Sequence, residues 1–95
     1  MSAYMIARVR VTDPQRYKAY VEASTPLAAR FGGRFVARGG KVHTLEGPDE
    51  GRRIVVIEFP DAEKAKAWFA SQEYQAARKL RLGAAEAEFL VVEGV

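Results

Sequence analysis

A chain of 95 residues, 48% hydrophobic and 28% charged, has the make-up of one globular domain spanning 1–95 and is short enough to gain from a partner subunit. It has no cysteine, which excludes disulfides, thiolate metal sites and a cysteine nucleophile and suits a reducing cytoplasm. The net charge of +3 admits an anionic ligand but lacks the dense basic face of a nucleic-acid binder, and the opening MSAYMIARVRV, with arginines inside its apolar run, is neither a signal peptide nor a membrane span.

Tyr4 to Val11 reads as a first strand, with Met5, Ala7, Val9 and Val11 on one face and Tyr4, Ile6, Arg8 and Arg10 on the other. TDP then starts a helix, Asp13 as N-cap and Pro14 at the first helical position. Tyr17, Tyr20, Val21, Ser24, Leu27, Ala28 and Phe31 recur at helical spacing as a core stripe. Pro26 kinks that helix or restarts it behind Ser24 or Thr25, and Gly32-Gly33 ends it. Arg34 to Arg38 is a second strand, expected to resume over Lys41 to Glu46 after a bend or bulge at Gly39-Gly40. The turn-rich GPDEG, Gly47 to Gly51, closes a hairpin.

Arg53 to Phe59 is the third strand. Its centre, Ile54 to Ile57, is wholly β-branched and apolar, as in a strand covered on both faces. Asp61 caps a second helix with Ala62, Ala65, Trp68 and Phe69 inward, and Ser71 caps a further turn through Tyr74, Ala77 and Arg81 to Gly83. Phe89 to Val92 is the last strand.

The order βαββαβ predicts an α+β, ferredoxin-like sandwich: a four-stranded antiparallel sheet with helices on one face and the first strand between the third and the fourth. Two helices cover only one face, yet the third and fourth strands are apolar on both. The exposed remainder is too large for a monomer, so a homodimer with sheet packed on sheet into a dimeric α/β barrel is expected.

GGRFVARGG (Gly32 to Gly40), LEG (Leu45 to Gly47), EFP (Glu58 to Pro60), AWFASQEYQAARKLR (Ala67 to Arg81), VVEG (Val91 to Gly94) and TDPQRYKAY resemble the family called domain of unknown function 1330. The resemblance covers nearly the whole chain. It implies the dimeric α+β barrel superfamily, which also holds small monooxygenases and muconolactone isomerases, and implies no particular activity.

Trp68, Ser71, Tyr74 and Arg81 cluster on the second helical segment. Trp68 and Tyr74 could wall a pocket for a flat molecule, with Ser71, Tyr74 and Arg81 as polar contacts and Tyr20 facing the same space. The plainer reading makes Trp68 core, Ser71 a cap, Tyr74 a rim residue and Arg81 a helix-end charge. Arg38 and Arg53 could clamp a carboxylate beside Glu46, or form ion pairs with Glu46 or Glu58. Glu58 could be a base of raised pKa; pairing with Arg8 or Arg10 accounts for it better. His43, the one histidine, could be a general base but more simply lies on the surface. A lone histidine and no cysteine leave no multi-histidine metal site in one chain, and no bound cofactor is expected. The glycines form neither a dinucleotide fingerprint nor a phosphate loop, and no glycine-aromatic RNA-binding motif is present.

Two functions remain. One is a homodimer that binds or transforms a small organic acid or aromatic metabolite. The other is a structural or regulatory dimer with no pocket.

Overall fold

Alternation sets the first strand. In β1 (Ala3–Val11), Ala3, Met5, Ala7 and Val9 are buried, while Ile6 is half-buried and Arg8 and Arg10 are exposed on the opposite face. The computed structural model describes all of Met1–Val95. After β1 come α1 (Pro14–Ser24), a 3₁₀ segment (Thr25–Phe31), β2 (Arg34–Arg38), β3 (Arg53–Phe59), α2 (Ala62–Ala70), α3 (Gln72–Arg78) and β4 (Ala85–Glu93). The sheet order is β2-β3-β1-β4, every pair antiparallel, with β1 between β3 and β4 as the crossover rule requires. The chain is thus α+β, an open sheet with its helices on one side, and only 16 Å thick across its shortest axis.

Each α-helix begins at a side-chain cap. Asp13 accepts from the Arg16 amide, Asp61 from the Lys64 amide and Ser71 from the Tyr74 amide. Pro26 has no amide hydrogen, and α1 gives way there to the 3₁₀ segment. Ser24 takes the cap position without a side-chain bond, and the Thr25 hydroxyl donates back to the Val21 carbonyl at 2.6 Å. Gly32, at φ 79°, closes the segment. A Cβ on Gly33 would meet Phe59 Cε1 at 2.7 Å and the Ala28 carbonyl oxygen at 3.0 Å. Gly33→Ala should therefore lower the urea-unfolding free energy by about 1–3 kcal/mol through overpacking.

Three expectations need correction. Lys41 to Glu46 is not a strand: residues 39–52 form an irregular loop. Gly39, at φ 72°, donates to the Ile54 carbonyl as the chain turns out of the sheet, and the bulge falls earlier, between Phe35 and Ala37. β4 begins at Ala85, not Phe89, which sets Glu86 and Glu88 opposite Arg10 and Arg8. Glu58 therefore does not pair with Arg8 or Arg10. It lies across from Arg34 of β2 and takes its Nε at 2.9 Å.

The core lies between sheet and helices, built from Met5, Val9, Ile57, Phe59, Trp68 and Tyr74 with their neighbours. The opposite face has no cover. Across its middle run Ala37, Val56, Ile6 and Leu90, each beside the next in register. Leu90 and Val92 are 46% and 48% exposed. One end of this face is polar: Arg52 grips Glu50 through two nitrogens at 2.8 and 3.0 Å and reaches Glu88 at 2.6 Å. Bonding to Arg52 holds the Glu50 carboxyl down to about 2 and fastens the end of the 39–52 loop to the sheet.

Candidate functional site

The alternation that fills the core also leaves a hollow beneath α1. Its floor is Met5, Ala7 and Val9 of β1 with Val55 and Ile57 of β3. Tyr17, Tyr20 and Val21 of α1 form the roof, and Phe35, Trp68 and Phe89 close its sides. The hollow is tight: the volume it leaves for the centres of water-sized groups is about 40 Å³, room for a few waters. Counted out to its open mouth, the space between the walls is about 440 Å³.

Arg38 and Arg53 complete the wall. Arg38 pairs with Val55 in the sheet register, so both arginines fall on the covered face with the loop between them. Arg38 is exposed and Arg53 half-buried, which puts their charges toward solvent at the mouth. Each lies over an aromatic ring: Arg38 Cζ is 4.5 Å from the Phe35 centroid and Arg53 Cζ is 5.7 Å from that of Tyr17. Neither has a carboxylate partner, and no Asp or Glu lines the hollow. Two wall donors, Arg53 Nε and the Trp68 indole nitrogen, are buried without an acceptor. Gly39 shapes the mouth, since a Cβ there would collide with the Arg53 guanidinium.

The Tyr20 and Tyr74 hydroxyls are 2.7 Å apart, and Arg81 Nη2 donates to the Tyr74 oxygen at 3.4 Å. Arg81 is 5% exposed, and its guanidinium sits over the rings of Phe89 and Tyr20, at 4.6 and 5.3 Å. Burial, then the neighbouring Tyr20, pushes the Tyr74 hydroxyl far above the ordinary tyrosine value, so it stays protonated. Burial raises Tyr17 as well.

The candidate residues thus fall into two groups. Tyr20, Arg38, Arg53 and Trp68 share the hollow, with Tyr74 and Arg81 packed directly behind it. The others stand apart. Ser71 is occupied by helix geometry, its hydroxyl donating to the Trp68 carbonyl at 2.8 Å and accepting from the Tyr74 amide. Glu46 and His43 are exposed on the 39–52 loop with no hydrogen-bonded partner. Glu58 is on the opposite face of the sheet; Ser2 foremost, then Arg34 and Tyr4, hold its carboxyl below the usual range, the reverse of a base of raised pKa. Tyr17, Phe35 and Phe89 line the hollow without having been singled out as site residues. Tyr17 was legible, since it lies three residues before Tyr20 on one helical face. Phe35 and Phe89 needed the strand register.

No group of His, Cys, Asp or Glu side chains is placed to hold a metal ion. No helix is long and apolar enough to cross a membrane.

The fold has solved counterparts. A protein of unknown function from Rhodopseudomonas palustris, RPA0582, superposes with a TM-score of 0.78 at 24% identity, over 99% of this chain and 82% of that one. SnoaB from Streptomyces nogalater, described as a cofactor-independent oxygenase, gives 0.70 at 13% identity, over 99% and 93% of the two chains. A dimeric protein of unknown function and ferredoxin-like fold from Bacteroides fragilis gives 0.65 at 19% identity, over 98% and 96%. Identities this low show a shared fold and carry no chemistry across. The sequence matches none of the curated proteins. With the βαββαβ order, the one-sided helices and a family profile matched over residues 2–95, the chain belongs to the domain of unknown function DUF1330 family.

Proposed function

We propose that this protein is a homodimer whose subunits each bind a small organic anion, its charged group at Arg38 and Arg53 and a short apolar group inside the hollow. The observation that carries the reading is the charge of the wall: two arginines without carboxylate partners and no acid among the lining residues. The planar fork of a guanidinium suits a carboxylate, and the buried, unpartnered Nε of Arg53 is a donor with no acceptor of its own. The tightness of the hollow restricts the buried part of the ligand to a few non-hydrogen atoms.

The dimer is supported by the uncovered apolar sheet face and by fold relatives from Bacteroides fragilis and Thermobifida fusca that are described as dimeric. Sheet-on-sheet packing would bury Ile6, Val56, Leu90 and Val92 against their counterparts.

The test is a thermal-shift and calorimetric panel of short carboxylates set against amines of the same carbon skeleton. Butanoate should raise Tm and butylamine should not. Arg53→Ala and Arg38→Ala should each weaken butanoate about tenfold or more, the size of one charge-assisted hydrogen bond. If no acid binds, or if the arginine variants bind as the parent does, the hollow is not an anion site and the dimerisation-module reading takes its place.

A further inference from the structure

The hydrogen bond between the Tyr20 and Tyr74 hydroxyls has a direction. Arg81 has only donors, so in its contact with Tyr74 the phenolic oxygen accepts. The Tyr20 and Tyr74 oxygens are 2.7 Å apart, so one hydroxyl proton lies between them and the other must go elsewhere. Were Tyr20 the donor, the Tyr74 proton would need a second acceptor. Tyr74 is 0% exposed and its hydroxyl meets only Tyr20 and Arg81, neither of which could then accept it. That arrangement strands a buried donor, which is costly. With Tyr74 as the donor to Tyr20, the free proton belongs to Tyr20, which lines the hollow.

We propose that Tyr20 is a specificity-determining residue whose hydroxyl is turned into the hollow as a donor by Arg81 and Tyr74 behind it, and that the ligand offers it a carbonyl or similar acceptor oxygen. This rests on the anion-binding reading of the hollow and narrows it: the ligand is an acid with a second oxygen on its short buried arm, as in an oxo acid. Tyr74 and Arg81 are positioning residues. They relay no charge, because Tyr74 is held protonated, and they set which way one hydrogen bond points. The unpartnered Trp68 indole N–H adds another donor to the same wall.

Two measurements test this, and they fail separately. In the free protein with ¹³C-labelled tyrosine, hydroxyl protons are observed by NMR near 5 °C and assigned with Tyr20→Phe and, if it folds, Tyr74→Phe. The Tyr74 proton should exchange with water at least tenfold more slowly than that of Tyr20 and show a cross-peak to the Tyr20 ring. If Tyr20 carries the protected proton, or if both exchange alike, the polarity is overturned. The second measurement compares butanoate with 4-oxopentanoate by calorimetry. The oxo acid should bind the parent more tightly and lose about tenfold in Tyr20→Phe, while butanoate changes less than twofold. Equal losses, or none, overturn Tyr20 as the donor to ligand. Binding by neither acid overturns the reading of the hollow itself, while the exchange rates still decide the polarity.

Discussion

Ile6→Arg is expected to convert the proposed dimer into a folded monomer. Ile6 is on β1, an inner strand of the sheet, flanked in register by Val56 and Leu90, so it stands mid-row on the uncovered face. In the dimer a guanidinium there would lie in an apolar interface without a carboxylate, and the two-fold axis would bring its copy close by. An uncompensated buried charge costs about 3–5 kcal/mol, a loosening of roughly a hundredfold to several thousandfold. The core should not feel the change, because Met5 and Ala7, on either side of Ile6, carry the helix-facing side chains. Sedimentation velocity should therefore show monomer at concentrations where the parent is dimeric. Far-ultraviolet dichroism and Trp68 fluorescence should stay native-like. Arg10→Ala, at the charged end of the same face, should alter salt dependence more than affinity. A variant that remains fully dimeric would mean the copies meet through some other surface.

What could be read from sequence depended on whether a signal was local. The caps at Asp13, Asp61 and Ser71 and the β-branched run Ile54 to Ile57 each express themselves within a few residues, and each is where the pattern puts it. The start of β4 was missed because Ala85 to Glu88 alternates alanine with glutamate, both poor strand formers. What holds that segment in the sheet is long-range, its antiparallel pairing with Arg8 to Val11 of β1 and the bond from Arg52 to Glu88. Lys41 to Glu46 failed in the opposite way. Val42 and Leu45 suggest a strand, but Gly39 turns the chain out of the sheet before they arrive, and Leu45 is 97% exposed.

The site followed the same division. Tyr20, Trp68, Tyr74 and Arg81 could be grouped from helical spacing, since helix faces are fixed by local geometry. That Arg38 and Arg53 share a face depends on the register of β2 on β3, and the bulge between Phe35 and Ala37 alters that register by one residue. A one-residue slip reverses every side chain beyond it. Glu46 stands beside these arginines only if Lys41 to Glu46 is a strand, and it is a loop.

Tyr74→Ala should be the most damaging single change on the helix side. The ring is fully buried where α3 meets side chains of α1, α2 and β4: its centroid is 4.5 Å from Trp68, 5.1 Å from Phe69, 6.2 Å from Tyr20 and 6.5 Å from Phe89. Removing a buried aromatic costs about 3–5 kcal/mol, against a total of roughly 5–15 kcal/mol for a domain. At about 4–8 °C per kcal/mol for a chain of this size, Tm should fall by at least 12 °C. Tyr74→Phe separates the hydroxyl from the ring. It keeps the packing but leaves Tyr20 and Arg81 facing a carbon edge, for about 1–2 kcal/mol. Both variants need measuring at one protein concentration, because the proposed dimerisation would couple stability to it. A large gap between them assigns the loss to the ring. If alanine costs no more than phenylalanine, the aromatic cluster is not what holds α3 to the sheet, and the hydroxyl contacts with Tyr20 and Arg81 must do so instead.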